Sequence, residues 1–355
     1  MSKLRTGYTT GACSAAAAKA AAMIMTGKDH SPGEVKITLG SGDGVETVLP
    51  IADYSVLDNG ARASVIKDSG DDPDITNGSR IVVDLFWEKD GDIVFEAGEG
   101  VGTVTKAGLS IKKGEPAINP GPRKMIAGAV REITERPVRV RISIPGGEEL
   151  ALKTFNPKLG VIGGLSILGT TGIVRPFSNE AVRESIICLL DVAIAGGYTD
   201  IVLAPGNIGA RAAGHYFNVA GEQIVEAGNE WGYVIEKAVD RNVRRLLLVG
   251  HPGKLAKLAM GQWNTHSKHS KSAAPYIAEV AKDEMGFTTV ESETVEGIFS
   301  AMEPDKRKEL SDLIAMKIAD AVNKKSGGEI EISVALVNMK SELIGAKLWS
   351  GPWIK

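Results

Sequence analysis

The rhythm of apolar residues changes partway along this chain, and that change limits what it can fold into. Up to about residue 144 short β-like runs follow one another at 35–39, 45–50, 61–67, 80–87, 93–97, 102–105 and 138–144. From about residue 178 apolar runs of four or five residues alternate with longer stretches of helical spacing. Clustered strands with few helices call for an α+β arrangement, whereas β-loop-α alternation calls for parallel strands covered by helices. We therefore expect an α+β N-terminal domain over residues 1–150 and an α/β domain with a mainly parallel sheet over 151–355. A length of 355 residues suits two domains of about 150 each.

Local signals fill in this outline. Thr9-Thr10 can cap a helix running to about Met25 and ended by Gly27, built on alanine runs at 15–18 and 20–22. So little side-chain bulk lets other backbone approach closely. Lys89-Asp90-Gly91-Asp92, between two apolar runs, predicts a hairpin. A helix is expected over 122–134. In the second half Ser178 or Asn179 caps a helix whose Val182, Ile186, Leu189 and Ala193 share one face. Strands at 201–204, 223–226, 245–249 and 330–337 alternate with helices at 230–239, after Gly253, near 273–285 and at 305–324.

Charge and cysteine usage narrow the function classes. Lys plus Arg number 41 against 44 Asp plus Glu, a net charge of -3. Near neutrality argues against general affinity for nucleic acid and points to a small-molecule partner. Cys13 and Cys188 form neither a disulfide framework nor a CxxC pair, which fits a reducing compartment. Lys3 and Arg5 before the alanine run imitate a secretory signal, but Lys19 interrupts it. No stretch reaches the ~20 apolar residues of a membrane span. The expectation is a cytoplasmic protein without membrane contact; a homo-oligomer is left open.

Several segments carry chemistry. Pro205-Gly206-Asn207-Ile208-Gly209 follows a strand, and Glu226 lies twenty residues beyond Gly206. Glycines in such a turn admit a ligand, and an acid further on can hold a ribose hydroxyl. The spelling departs from GxGxxG, so a plain turn explains it as well. Gly250-His251-Pro252-Gly253-Lys254 is not a Walker loop, though amides at the following helix start can bind a carboxylate or phosphate. The glycine- and hydroxyl-rich run 163–172, with Thr170 and Thr171, leads to Arg175 and suits an anion. Asp68, Asp71, Asp72 and Asp74 crowd one loop without EF-hand spacing, and turn chemistry explains much of that composition. His266 and His269 lie in a polar loop with no metal-ligand partners close in sequence, so a lone titrating imidazole is the better reading.

Taken together, these segments resemble the cobalt-precorrin-5B C-1 methyltransferase family of anaerobic cobalamin biosynthesis. The matching runs are Leu4-Arg5-Thr6-Gly7-Tyr8-Thr9-Thr10-Gly11, Lys67-Asp68-Ser69-Gly70-Asp71-Asp72-Pro73-Asp74 and Gly98-Glu99-Gly100-Val101-Gly102. Pro116-Ala117-Ile118-Asn119-Pro120 with Pro122-Arg123-Lys124, then Phe155-Asn156-Pro157 and 160–178, continue the match. It ends with Val249-Gly250-His251-Pro252-Gly253-Lys254-Leu255 and Asn264-Thr265-His266-Ser267. The resemblance spans residues 4 to 267 in order. It implies methyl transfer from S-adenosylmethionine to ring carbon 1 of cobalt-precorrin-5B, giving cobalt-precorrin-6A. Cobalt enters with the substrate, so no dedicated protein metal site is needed.

On this reading Gly206, Asn207, Gly209, Glu226, Gly250 and His251 serve S-adenosylmethionine at the carboxyl ends of the parallel strands. The tetrapyrrole, expected between the domains, is reached by Arg5, Thr9, Thr10, Asp71, Arg123, Thr170, Thr171, Arg175 and Lys268. Arg5, Arg123, Lys124, Arg175 and Lys268 are the cations available for its carboxylates. His266 is the candidate proton acceptor. A non-catalytic tetrapyrrole carrier and a nucleotide-dependent kinase are the rival classes; S-adenosylmethionine binding separates the first, and the misspelt phosphate loop speaks against the second.

Overall fold

A computed structural model of the chain describes residues 4–40, 44–348 and 353, and Lys3 lies outside them. It divides into two compact units, Met1–Asn179 and Glu180–Lys355.

The first unit is organised around the alanine helix Thr10–Thr26. Thr9 is extended and its hydroxyl accepts the Ala12 N–H, while Gly27 closes the helix at φ 72°. Almost every side chain on it is buried. Alanine loses no rotamer entropy on burial. Its small bulk lets the helix Pro120–Arg131 and the strands Gly60–Ile66 and Arg80–Trp87 pack against it from several sides. Lys19 is the one charged residue on this helix. Its ammonium donates to the Lys36 carbonyl at 2.6 Å and pairs with Glu132, as a charge held out of water requires.

The main sheet of this unit has the order Asp53–Leu57, Gly60–Ile66, Arg80–Trp87, Val138–Ser143, Ile93–Ala97. The first three pairings are antiparallel and the last is parallel. The hairpin predicted at 89–92 therefore does not form, because Val138–Ser143 lies between the two strands it would join. Burial decides the order. Val138, Val140 and Ile142 are fully buried and take the inner slot, whereas Ile93–Ala97 is partly exposed and takes the edge. Both ends of the turn bond to the inserted strand: Glu88 N–H to Pro137 at 3.0 Å, and Val138 N–H to Asp92 at 3.1 Å.

The first unit runs to Asn179 rather than to residue 150. Val161–Ile162 pairs with Thr103–Val104, and Ile173–Val174 pairs with Gly7–Tyr8. These pairings are two residues long and join segments far apart, so no local pattern announces them.

In the second unit the sheet order is Ile224–Glu226, Asp200–Ala204, Arg245–Gly250, Glu331–Val337, Leu343–Lys347. Three pairings are parallel and the last is antiparallel. The strands are nearly continuous apolar runs because helices cover them, notably Asn207–Tyr216 and Pro304–Lys325. Val202, Leu247, Val249, Ala335 and Val337 meet Ala212, Ala213, Phe217 and Trp353 in one core. The strands Asp53–Leu57 and Leu343–Lys347 and the helix Val295–Ser300 are elements for which the sequence carries no clear period. Among the described residues no helix is long and apolar enough to cross a membrane.

Candidate functional site

Numbered by first appearance, the strands of the second sheet run 2-1-3-4-5, so the connections diverge between Asp200–Ala204 and Arg245–Gly250. Open α/β sheets bind ligands outside the carboxyl ends at such a point. The structure gathers all six residues assigned to S-adenosylmethionine at this edge, and then divides their roles. Gly206 is extended, and a Cβ there would meet nothing within 4 Å. Asn207 is exposed in the first turn of its helix. Glu226 ends the neighbouring strand, in register with Ala204. Gly209 and Gly250 are packing glycines. A Cβ on Gly209 would lie 2.1 Å from the Val249 carbonyl, and one on Gly250 would lie 2.7 Å from Pro205. His251 is a helix cap. Its Nδ1 accepts the Gly253 N–H at 3.0 Å, which leaves the hydrogen on Nε2 to be donated to Glu296 at 2.9 Å. With both ring nitrogens occupied, His251 shapes the turn.

The loop carrying His266 is tied to the turn that follows Glu226. Thr265 N–H donates to the Asn229 carbonyl at 3.1 Å. The Asn264 amide donates to Glu230 at 2.8 Å, and Glu230 also accepts Arg183 at 2.7 Å. From below, the buried Lys257 donates to the Thr265 carbonyl at 3.1 Å and to Ser270 Oγ at 2.8 Å. Burial holds the Lys257 ammonium below the ordinary lysine range. His266 itself is exposed, and its Nδ1 accepts the Lys268 N–H at 3.1 Å. The neutral ring then carries its hydrogen on Nε2, so in this geometry that nitrogen is a donor, and action as a base through it would need the other tautomer.

In the first unit, three of the expected segments converge. Tyr8 N–H bonds to Asp68 O at 2.7 Å, Thr9 N–H to Gly172 O at 3.0 Å, and Gly11 N–H to Leu168 O at 3.0 Å. Gly7 and Gly70 permit the closest approaches, since a Cβ on either would fall within 2.5 Å of the opposing backbone. The acidic loop works as a knot. Arg5 pairs with Asp68, Asp71 accepts the Arg5 N–H at 2.6 Å, and Asp72 accepts the Phe177 N–H at 3.0 Å. Asp74 takes the fully buried Lys67 ammonium at 2.6 Å. Hydrogen bonds from Arg5 and from the Gly70 N–H hold Asp68 below the usual carboxylate range. Burial pushes Asp74 up, but Lys67 and Thr76 outweigh it and leave it low.

Residues 1–176 match the CbiD family model. A curated cobalt-precorrin-5B C(1)-methyltransferase from Syntrophotalea carbinolica is 47% identical over 353 residues, covering 99% of this chain and 100% of that one. This chain belongs to the CbiD family. Another curated relative of the same name, from Methanocaldococcus jannaschii, is 41% identical and covers 98% of each chain. A crystal structure of a cobalamin biosynthesis protein (cbiD) from Archaeoglobus fulgidus is 30% identical, covers 70% of this chain and 78% of its own, and has a TM-score of 0.37.

Within this CbiD chain the geometry sorts the expected substrate contacts. Thr9 is spent on its helix, and Thr10 Oγ1 accepts the Leu168 N–H at 2.9 Å. Arg5 and Asp71 are spent on each other's segments. Arg123 is committed as well: it bonds Glu115 at 2.8 Å and the Ile118 carbonyl at 2.8 Å and lies over Phe95. These five are each held by partners within the first unit. Arg175, Lys124, Lys268 and Thr170 are exposed and make no ion pair among the described residues. Thr171 is exposed too, its hydroxyl bridging to Ile173 within the turn. Gly121, one turn before Lys124, backs onto Thr170, so this face of the helix adjoins the 168–172 turn. The buried Lys67 and Lys257 are positioning residues that sequence reasoning missed, because a lysine's burial leaves no local signature.

Proposed function

We propose that this chain transfers a methyl group from S-adenosylmethionine to ring carbon 1 of cobalt-precorrin-5B, giving cobalt-precorrin-6A in anaerobic cobalamin biosynthesis. The observation that carries this reading is the 47% identity to a curated enzyme of that name along its whole length, which leaves no segment of it unmatched. The domains are read as an α+β unit followed by an α/β unit.

The residues present fit the donor. Open space beside Gly206, the exposed start of the Asn207 helix and a carboxylate at the next strand end suit an adenosine ribose. Glu226 would accept the ribose hydroxyls and the Gly206-Asn207 backbone would approach the ligand. When bound, S-adenosylmethionine supplies an already electrophilic methyl. The protein's work is then alignment of the carbon nucleophile with methyl and sulfur, and exclusion of water. Within the first unit Arg175, Lys124, Thr170 and Thr171 are exposed groups suited to a macrocycle's carboxylates, and within the second unit Lys268 and His266 are. Cobalt is substrate cargo in this scheme.

The test is an anaerobic incubation of the purified chain with methyl-labelled S-adenosylmethionine and cobalt-precorrin-5B, followed by location of the label. Label at ring carbon 1 is expected. Tight binding of the macrocycle with no label transferred would instead mark a carrier.

A further inference from the structure

Asp and Glu make up 44 of the 355 residues, yet none occurs from Arg241 to Ala278. The same stretch holds seven Lys or Arg and three of the chain's five histidines. Part of that charge is neutralised from elsewhere, Arg241 by Asp191 and Arg245 by Asp200 and Glu331, while His251 Nε2 is hydrogen-bonded to Glu296. Lys254, Lys257, Lys268 and Lys271 have no carboxylate partner among the described residues, and neither do His266 and His269.

Lys254 and Lys257 stand out within this group. Both lie on the helix Pro252–Ala259 at i and i+3, so they share a face. Lys257 is buried and spends its ammonium on the loop that carries His266 and Lys268. Lys254 is half-buried, and its ammonium makes no hydrogen bond or ion pair among the described residues. It sits in the first turn of the helix, where the backbone dipole is positive and a cation is disfavoured. Burial and the neighbouring Lys257 both push its ammonium below the ordinary lysine range. A half-buried cation opposed by a second cation and a helix dipole, with no counter-charge, is an unfavourable arrangement that an anion would relieve.

We propose that Lys254 is the centre of a carboxylate-binding site, bordered by Lys257 and by the 264–271 loop. The proposal rests on the methyltransferase reading, which supplies two carboxylate sources: the acid side chains of the macrocycle and the amino-acid end of S-adenosylmethionine. Phosphate chemistry is not required by either substrate, and the turn lacks the spacing of a phosphate loop.

The experiment compares the full-length chain with Lys254→Met and Lys254→Arg. Circular dichroism checks the fold. Calorimetry gives the Kd for S-adenosylmethionine and for methylthioadenosine, which lacks the amino-acid end. Quenching of protein fluorescence gives the Kd for cobalt-precorrin-5B without need of turnover. Lys254→Met is expected to weaken one carboxylate ligand by at least ten-fold, and Lys254→Arg to recover most of the loss. Weakened macrocycle binding with donor affinity unchanged assigns the substrate's acids. Weakened S-adenosylmethionine with methylthioadenosine unchanged assigns the donor's carboxylate. Unchanged affinity for both carboxylate ligands in a folded Lys254→Met overturns the proposal. Ordinary binding by the parental chain with no methyl transferred would count against the enzymatic reading alone, while the affinities still judge the site. A parental chain that binds neither ligand would end both.

Discussion

Arg123 and Arg175 both sit in family-matched segments, yet their surroundings ask different things of them. Arg123 is saturated by Glu115, the Ile118 carbonyl and the Phe95 ring, whereas Arg175 extends into solvent. A charge-assisted hydrogen bond to a carboxylate is worth about 1.5–3 kcal/mol, or roughly ten- to hundred-fold in affinity. Arg175→Ala should raise the macrocycle KM by that order and leave the S-adenosylmethionine Kd alone. Arg123→Ala should instead shift the urea midpoint, with KM little changed in the protein that remains folded. His266 is argued in the same way. As a donor it contributes about 0.5–1.5 kcal/mol, so His266→Ala should raise the macrocycle KM up to roughly ten-fold and keep kcat. A kcat loss of ~100-fold or more would return it to the general-base role. At the donor edge, Gly206→Val should block S-adenosylmethionine, and Glu226→Gln should weaken it by about 1–2 kcal/mol, both read by calorimetry. The motifs named the segments around Tyr8, Asp68 and Leu168 that the structure brings together. Which side chains are already consumed was not, because Arg5 meets Asp68 and Thr10 meets Leu168 only after the chain has folded.

At the scale of elements, the acidic loop shows how composition misleads and geometry corrects. Four carboxylates in seven residues look like a cation site, but Asp68 and Asp71 both hold Arg5, Asp72 holds the Phe177 N–H and Asp74 holds Lys67. The Lys67–Asp74 pair is the deepest of these ties. Asp74 titrates below its unfolded value of 3.8, so its stabilisation is complete above that pH and disappears as pH falls through the folded value. Asp74→Asn removes the counter-ion and strands the Lys67 ammonium, which is 2% exposed, at a cost of ~3–5 kcal/mol. At pH 7 the variant should unfold at a clearly lower urea concentration. The gap should narrow as pH falls below 3.8 and close once pH has fallen through the lower folded value, where the parental Asp74 also loses its charge. Equal midpoints at pH 7 would show that the pair does not hold the loop. Elements with a strong local signal, such as the capped alanine helix and the apolar runs of the parallel strands, were legible in the sequence. The place of Val138–Ser143 between two earlier strands was not, since a turn motif reports local geometry and burial decides the neighbour.

Across the whole molecule, charge sets up a contest that one measurement decides. The chain carries a net charge of -3, and the proposed macrocycle is a polyanion, so the average field repels the substrate. Against that stands the stretch from 241 to 278, where cations gather without a single carboxylate, together with the exposed Arg175 and Lys124. Salt screens both effects but changes KM in opposite directions. The screening length is about 10 Å at 0.1 M and about 3 Å at 1 M, so added salt removes long-range repulsion and weakens attraction to exposed cations. If local cations govern capture, the macrocycle KM rises with ionic strength. If the net charge governs, it falls. The half-buried Lys254 and the exposed Arg175 and Lys268 act at contact distance, where attraction between opposite charges exceeds a diffuse field from an excess of three charges. A rise in KM of several-fold between 0.05 and 0.5 M potassium chloride is therefore expected. The KM for S-adenosylmethionine, a small ligand without a surplus of negative charge, should move little over the same range. A macrocycle KM that falls as salt is added would mean that the acidic remainder of the chain controls approach, and the cation contacts assigned to both units would lose their support.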